Sequence, residues 1–209
     1  AGLHGGDLTH AMVCTYFHGY LAFHSGQQLS QQIISLEHFS RAMSEYNSTT
    51  LLRANQGYQQ AVVNFIGLSG QGRNRAMLKG DVFNIESACN RDNAFLNEHM
   101  ATLQLVLACM LGQYELSWIT SEELQRLDAR LESFIFYIEA FFRGLTACSL
   151  YQSSKNQFFL KSGKTCLRTL KNGMKRSPAT LSMYLSLLEA EIATLESKYK
   201  TSEKCFSMA

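Results

Sequence analysis

Apolar residues recur every three or four positions along most of the chain, which is the spacing that places them on one face of an α-helix. The first such stripe runs through Met12, Tyr16, Tyr20 and Phe23, after an N-cap within residues 6–9. Comparable stripes predict helices over residues 29–46, 51–67, 94–111, 134–151, 155–176 and 179–196, with a short helix over 82–89 and another helix starting at 121. No segment reads convincingly as a β-strand. The pattern predicts an all-α chain of about eight or nine helices.

The segment 190–209 carries the pattern of a tetratricopeptide-type helical hairpin. Ala190 is a small residue on a first helix, residues 197–199 make a tight turn, and Ser202 and Phe206 follow at helical spacing. Such a hairpin cannot bury its apolar face alone and needs a following neighbour. The chain also begins with Ala1 and not with Met. We therefore expect a fragment of a longer helical array.

The turn signature recurs more weakly elsewhere in the chain. Residues 112–114 with Ser117 repeat the spacing found in the segment 190–209, and residues 25–28 follow Ala22 where a turn would fall. The copies are irregularly placed, so no fixed repeat period is visible. The predicted fold is an irregular tetratricopeptide-like array, an α-solenoid, which forms a single helical-repeat domain over residues 1–209.

Composition agrees with this prediction and narrows the class of protein. Apolar residues make up 46% and charged residues 17% of the chain, which is typical of a globular protein. The only proline is Pro178, and a scarcity of proline favours helices. The formal net charge of +2 does not by itself indicate nucleic-acid binding. Neither a membrane span nor a signal peptide is visible, so we expect a soluble cytoplasmic protein.

The six cysteines lie far apart and contain no Cys-x-x-Cys pair; they are Cys14, Cys89, Cys109, Cys148, Cys166 and Cys205. Four of them fall inside apolar helical stretches, namely Cys14, Cys109, Cys148 and Cys205. Buried free thiols in a reducing compartment are the expected state.

No motif predicts catalysis, a cofactor or a metal. Residues 162–165 read Ser-Gly-Lys-Thr, but a phosphate-binding loop needs a further glycine where Phe158 stands. The glycines of residues 70–72 follow a helix and not a strand, so a flexible interhelical loop over 67–80 is the expectation. The histidines do not stack at the spacing of a metal site.

The stretch 155–176 is the best candidate for an interaction surface. It contains no acidic residue and has an apolar side through Phe159, Cys166 and Leu170. The candidate surface residues are all basic: Lys155, Lys161, Lys164, Arg168, Lys171, Lys175 and Arg176. A basic amphipathic helix of this kind can bind acidic lipids, calmodulin-like partners or phosphates, or can simply be a solvated outer face.

Two stretches resemble a known family. Residues 6–8 leading to 23–29 are similar to a G-D-x-x-x-A…F-x-S-G-x-x-L pattern. Residues 170–175, Pro178 and residues 184–191 are similar to a basic N-x-x-M-K helix followed by A-P-x-N-Y-x-H-K-Y-x-L-V-E-A-E, although the Trp-Ala expected after that helix is absent. Both patterns occur in the helical-repeat region of large multidomain signalling proteins that carry a serine/threonine kinase-like domain, a signalling ATPase and often a sensor histidine kinase.

The resemblance implies a non-enzymatic scaffold that links an ATPase module to sensor or kinase output. Its partners would be other domains of the same chain, or protein and peptide partners, with no cofactor. Two alternatives stay open. One is a stand-alone helical domain with an apolar ligand pocket among the aromatic residues of 134–142. The other is an all-α enzyme whose site is assembled from scattered polar residues.

Overall fold

Helices are the only regular elements in the part of the chain that the computed structural model describes, residues 7–69, 74–88, 93–127, 133–176 and 178–208. In chain order they are α1 (Leu8–His24), α2 (Leu29–Glu45), α3 (Thr49–Phe65), α4 (Ile85–Ala88), α5 (Ala94–Met110), α6 (Tyr114–Gln125), α7 (Phe134–Ser154), α8 (Gln157–Met174), α9 (Pro178–Leu195) and α10 (Tyr199–Met208). The all-α prediction is confirmed.

The predicted boundaries differ from the observed ones in a few places. The predicted helix start at Ser121 is wrong, because α6 already begins at Tyr114, directly after the turn at Gly112. At the first helix, Asp7 is the N-cap, since its carboxylate accepts a hydrogen bond from the main-chain N–H of His10 at 3.1 Å. Residues 6, 70–73, 89–92 and 209, to which the sequence patterns also assign roles, lie outside the described residues.

The chain comprises two compact units, Ala1–Leu107 and Ala108–Ala209. In the first unit α1, α2 and α3 all contact one another. In the second unit α7, α8 and α9 do the same, while α6 packs on α7 and α10 packs on α9. Each unit therefore contains a helix triplet, three consecutive helices in which each helix contacts the next and the first also contacts the third. The single repeat domain over residues 1–209 stays a prediction.

Short turns with one left-handed residue join several helices. The left-handed residues include Gly26, Asn47, Gly112 and Ser197. After Ser197, the N–H of Lys198 donates to the carbonyl of Ala193 at 2.8 Å, which satisfies a carbonyl at the end of α9. At the other three turns, the residue after the left-handed one likewise donates its N–H to the carbonyl five residues earlier. This is the Schellman pattern, and it reverses the chain within a few residues.

Buried amide side chains hold the connection over residues 74–84 in place. Gln104 donates to the carbonyl of Ala76 at 2.5 Å and accepts from the N–H of Leu78 at 2.6 Å. Asn64 donates to two further main-chain carbonyls of the segment, and Gln60 accepts from two of its N–H groups. The sequence predicts a flexible loop over 67–80, whereas the described part of it is fixed to α3 and α5.

Glycines let α7, α8 and α9 approach closely. A Cβ atom placed on Gly144 of α7 would lie 2.6 Å from a methyl group of Leu188 and 3.2 Å from the Cβ of Cys166. A Cβ on Gly173 of α8 would lie 2.3 Å from the ring of Tyr137. Real Cβ atoms essentially never lie within 3.0 Å of another group. The packing of Leu188 and Tyr137 therefore depends on the absence of a side chain at Gly144 and at Gly173.

We expect Gly144→Ala to lower the free energy of unfolding by about 1–2 kcal/mol. The added methyl group collides with the fully buried Leu188, and this overpacking outweighs the better helix propensity of alanine. Gly163→Ala is the matched control, since its new Cβ would meet atoms only at 3.5 Å or beyond. That change should stabilise the protein by about 0.5–1 kcal/mol. Urea unfolding followed by circular dichroism measures both, and equal effects would contradict the close packing.

Candidate functional site

The basic stretch predicted over residues 155–176 becomes α8 and its two ends. Lys155 ends α7 in the left-handed conformation, and the side chain of Asn156 caps α8 by accepting from the N–H of Phe158 at 3.0 Å. Helix α8 then runs to Met174, and Lys175 is its C-cap. The stretch is helical because it starts with a strong cap, contains no proline and carries apolar residues at helical spacing.

Five of the seven predicted basic residues form one stripe, which we call the α8 ridge: Lys161, Lys164, Arg168, Lys171 and Lys175. Their spacing alternates between three and four residues, which keeps them on one helix face. Lys155 lies before the helix, with its ammonium group 6.0 Å from the ring centre of Tyr151, and Arg176 follows the C-cap. The structure thus brings five of the candidates together and leaves two outside the stripe.

Ion pairs with Glu189 of α9 and with Glu196, which follows that helix, neutralise part of the ridge. Lys171 lies 2.7 Å from Glu189, and Lys164 pairs with Glu196. Glu196 also lies 2.7 Å from Lys198, and hydrogen bonds from both lysines lower the pKa of its carboxyl group. Exposed pairs of this kind add little stability, so their main effect is on the distribution of charge.

The apolar face of α8 is buried within the second unit. Leu160, Cys166 and Leu170 are buried, the last of them completely. Burial raises the pKa of the Cys166 thiol to about 11, and it raises the pKa of the neighbouring Cys148 thiol to about 12. Both thiols therefore stay protonated near neutral pH and are poor nucleophiles. The expectation of buried thiols is right for Cys109, Cys148 and Cys205 and wrong for Cys14, which is exposed.

A groove of about 280 Å³ lies between α7 and α8 beside the ridge. Its apolar lining consists of Phe136 and Ala140 of α7 and of Phe158 near the start of α8. The α8 side carries the hydroxyl residues Ser162, Thr165 and Thr169, together with Lys161 of the ridge. Each of these hydroxyls donates to the carbonyl four residues earlier in α8, so its proton is already used.

Two charged residues of α7 complete the groove. Glu139 is 1% exposed, and its carboxylate accepts a hydrogen bond from Gln125 at 2.6 Å. The guanidinium group of Arg143 lies 2.5 Å from Glu122 and 4.5 Å from the ring centre of Trp118. The sequence analysis did not single out these residues. Their signal is a glutamate and an arginine four residues apart in an otherwise aromatic and apolar helix.

The aromatic residues of 134–142 divide between the core and the groove. Of the aromatic residues in 134–142, Phe141 and Phe142 are buried in the core, while Phe136 lines the groove. The Ser-Gly-Lys-Thr sequence of residues 162–165 lies in the middle of α8 and forms no loop. In the described ranges no three His, Cys, Asp or Glu side chains converge as metal ligands would. None of the described helices is both long and apolar enough to cross a bilayer.

The first unit contains a buried cluster of tyrosines and histidines that the sequence analysis did not find. The Oη of Tyr16 lies 2.5 Å from Nδ1 of His99, which is 7% exposed. Tyr20 and Tyr58 pack their rings against Tyr16. Burial lowers the pKa of His99 to about 4 and raises the pKa values of Tyr16 and Tyr58. His99, Tyr16 and Tyr58 are therefore neutral at pH 7, which suits a packed core.

No family model matches the sequence, and the searches of curated proteins and of solved structures give no match either.

We expect the protein to lose stability below pH 6.5, because the folded state resists protonation of His99. The unfolded chain binds a proton near the ordinary pKa of about 6.5, whereas the folded state binds it only near 4. The contribution is complete above pH 6.5 and falls as the pH approaches 4, by about 2 kcal/mol at pH 5. Urea unfolding of His99→Gln at pH 7 and 5 should show a smaller difference than the wild type. Replacement of the exposed His38 by Gln is the control, and an unchanged difference in His99→Gln would contradict the assignment.

Proposed function

We propose that this chain is a non-enzymatic helical-repeat scaffold that mediates protein–protein or interdomain contacts. The observation that carries the proposal is the two-sided character of α10. On one side, Cys205 is buried and Ser202 lies 2.6 Å from Thr194 of α9, oxygen to oxygen. On another side Tyr199 and Phe206 are 69% and 44% exposed, and their seven-residue spacing places them on one face. A helix inside a repeat array has this character, because neighbours cover both of its faces.

The helix triplets support the same proposal. In each unit a helix contacts its successor and also the helix after that. This is the pairing expected when helical hairpins stack as repeats. The recurrent left-handed turns give the short reversals that such stacking needs.

The proposed setting is a multidomain signalling protein with ATPase and kinase modules. Its support is the resemblance of residues 170–191 to the repeat region of such proteins. In the fold this stretch covers the end of α8 and most of α9, and the Lys171–Glu189 ion pair joins its two halves. The scaffold would bind other domains of the same chain or peptide partners, and its residues would carry no chemistry of their own.

The exposed face of α10 provides the test. We expect the chain to self-associate at micromolar to millimolar concentration, because Tyr199 and Phe206 together expose an apolar surface that a repeat neighbour would cover. Phe206→Glu should abolish the association, since a buried carboxylate in that contact would lack a partner. Sedimentation velocity over a concentration series measures both.

The matched control is Ser207→Glu, which adds the same charge to the same helix about 100° away around its axis. It should associate like the wild type. A wild-type chain that stays monomeric at every concentration, or equal association of the two variants, would contradict the scaffold proposal.

The groove between α7 and α8 favours a second candidate, a helical domain that binds a small ligand. Its volume of about 280 Å³ is near the lower end for ligand sites, and its lining combines apolar residues with the buried Glu139. An all-α enzyme with an unrecognised site stays a hypothesis without a specific observation in its favour.

An apolar dye separates this candidate from the scaffold. If the groove is a ligand pocket, 8-anilinonaphthalene-1-sulfonate should fluoresce strongly with the wild type, and Ala140→Leu should remove the signal by filling the groove. Ala179→Leu, at an exposed position of α9, should leave it unchanged. Equal signals from the two variants would argue against a ligand pocket.

A further inference from the structure

The basic residues of the α8 ridge that form no ion pair within the described residues lie on a single line along the helix. Lys171 is paired with Glu189 of α9, and Lys164 is paired with Glu196, which follows that helix. Lys161, Arg168 and Lys175 are exposed, and no ion pair involves them within the described residues. These three residues are seven positions apart, so they recur every two turns at intervals of about 10 Å. A partner that matches them needs anionic groups at the same interval.

The groove runs alongside this line. Its α8 wall is formed by Ser162, Thr165 and Thr169, which follow the helix at three- and four-residue spacing just as the ridge does. Lys161 belongs to both features. The exposed ring of Phe158 stands at one end of the groove, in edge-to-face contact with Trp118. A single partner can therefore contact the cations of the ridge and the apolar lining of the groove at the same time.

The groove itself favours apolar contacts over anions. The α8 hydroxyls already donate within the helix, and Arg143 is engaged with Ser121 and Glu122. The side chain of Glu139 is buried and accepts a hydrogen bond from Gln125, so it adds no cation to the groove. Anionic groups of a partner therefore belong on the ridge, and an apolar side chain belongs in the groove.

The fold disfavours two of the partners that the sequence allowed. Amphipathic helices bind membranes by inserting their apolar face, and calmodulin-like proteins enclose the same face. In α8 this face, with Leu160 and Leu170, is buried inside the second unit. A flat lipid surface also cannot place groups inside a recess. An amphipathic protein segment can satisfy both features, because its charged and apolar side chains recur at helical spacing.

We propose that Lys161, Arg168 and Lys175, together with the adjacent groove, form a docking surface for an acidic amphipathic helix of a protein partner. Its carboxylates pair with the three cations at seven-residue intervals, and one apolar side chain enters the groove against Phe136, Ala140 and Phe158. The inference deepens the scaffold proposal and rests on it. It assigns the scaffold one class of partner and one site.

The test uses the full chain and a defined probe. The probe is a fluorescein-labelled, capped helical peptide of about eighteen residues, with glutamates at seven-residue intervals and one leucine on the flank that faces the groove. A second peptide replaces that leucine by alanine. Fluorescence anisotropy in low salt should show saturable binding of the first peptide that weakens as salt is added. The alanine peptide should bind about fivefold more weakly.

Two charge-matched variants locate the binding. Arg168→Glu/Lys175→Glu should weaken the peptide by about tenfold or more, because it reverses two of the three contacts. Lys200→Glu/Lys204→Glu makes the same change in net charge at exposed positions of α10 and should leave binding nearly unchanged. Phe158→Ala should weaken the leucine peptide but not the alanine peptide. Circular dichroism checks that each variant is folded.

Several results would overturn the proposal. They are no binding of the leucine peptide at millimolar concentration in low salt, equal loss in the two double variants, or equal affinity for the two peptides. Tighter binding of phosphatidylserine vesicles or duplex DNA than of the peptide, with the same dependence on Arg168 and Lys175, would assign the ridge to another partner. The self-association governed by Phe206 is measured separately, so failure of the docking site and failure of the scaffold are distinguishable.

Discussion

The close approach of α7 to α8 and α9 is the constraint on which the second unit depends. It exists because Gly144 and Gly173 lack side chains where Leu188 and Tyr137 would otherwise collide with them. The apolar face of α8, with Leu160, Cys166 and Leu170, can then be buried, and the rotation of the helix follows from that burial. Once the rotation is fixed, the basic residues can only point away from the core and along the rim of the groove.

The sequence predicted the helices well, because apolar spacing, caps and turns act locally. The stripe from Met12 to Phe23 and the turn at Ser197 needed no long-range information. The predictions were wrong where a sequence pattern was ambiguous or where a contact joined residues far apart in sequence. Ser121 resembled a helix start because Ser-Glu-Glu is a common N-terminal pattern, although the true start follows Gly112. The structure describes ten helices, against a predicted eight or nine.

The candidate site was predictable only in part. The composition of residues 155–176 identified the basic stripe. It did not show that Lys171 and Lys164 are compensated by Glu189 of α9 and by Glu196 just after that helix, because these glutamates are far away in sequence. The groove depends on Glu139, Arg143 and Gln125 meeting across two helices, which no local pattern reports. The contact between Tyr16 and His99 joins residues even farther apart and was equally invisible.

The buried amide side chains of Gln60, Asn64 and Gln104 hold residues 74–84 in place, and we call this arrangement the amide clamp. It has an evolutionary consequence. Gln60, Asn64 and Gln104 contact this connection through its main-chain N–H and C=O groups, which every residue type except proline supplies in full. The clamp therefore recognises the path of the backbone and is indifferent to most of the side chains along it. An exposed position such as Lys79 can drift in identity while the path is retained, whereas Arg75 is tied to the end of α3 by hydrogen bonds to the carbonyls of Asn64 and Phe65. Selection would act on the three amides, which lie in α3 and α5, and the connection could diversify under their protection.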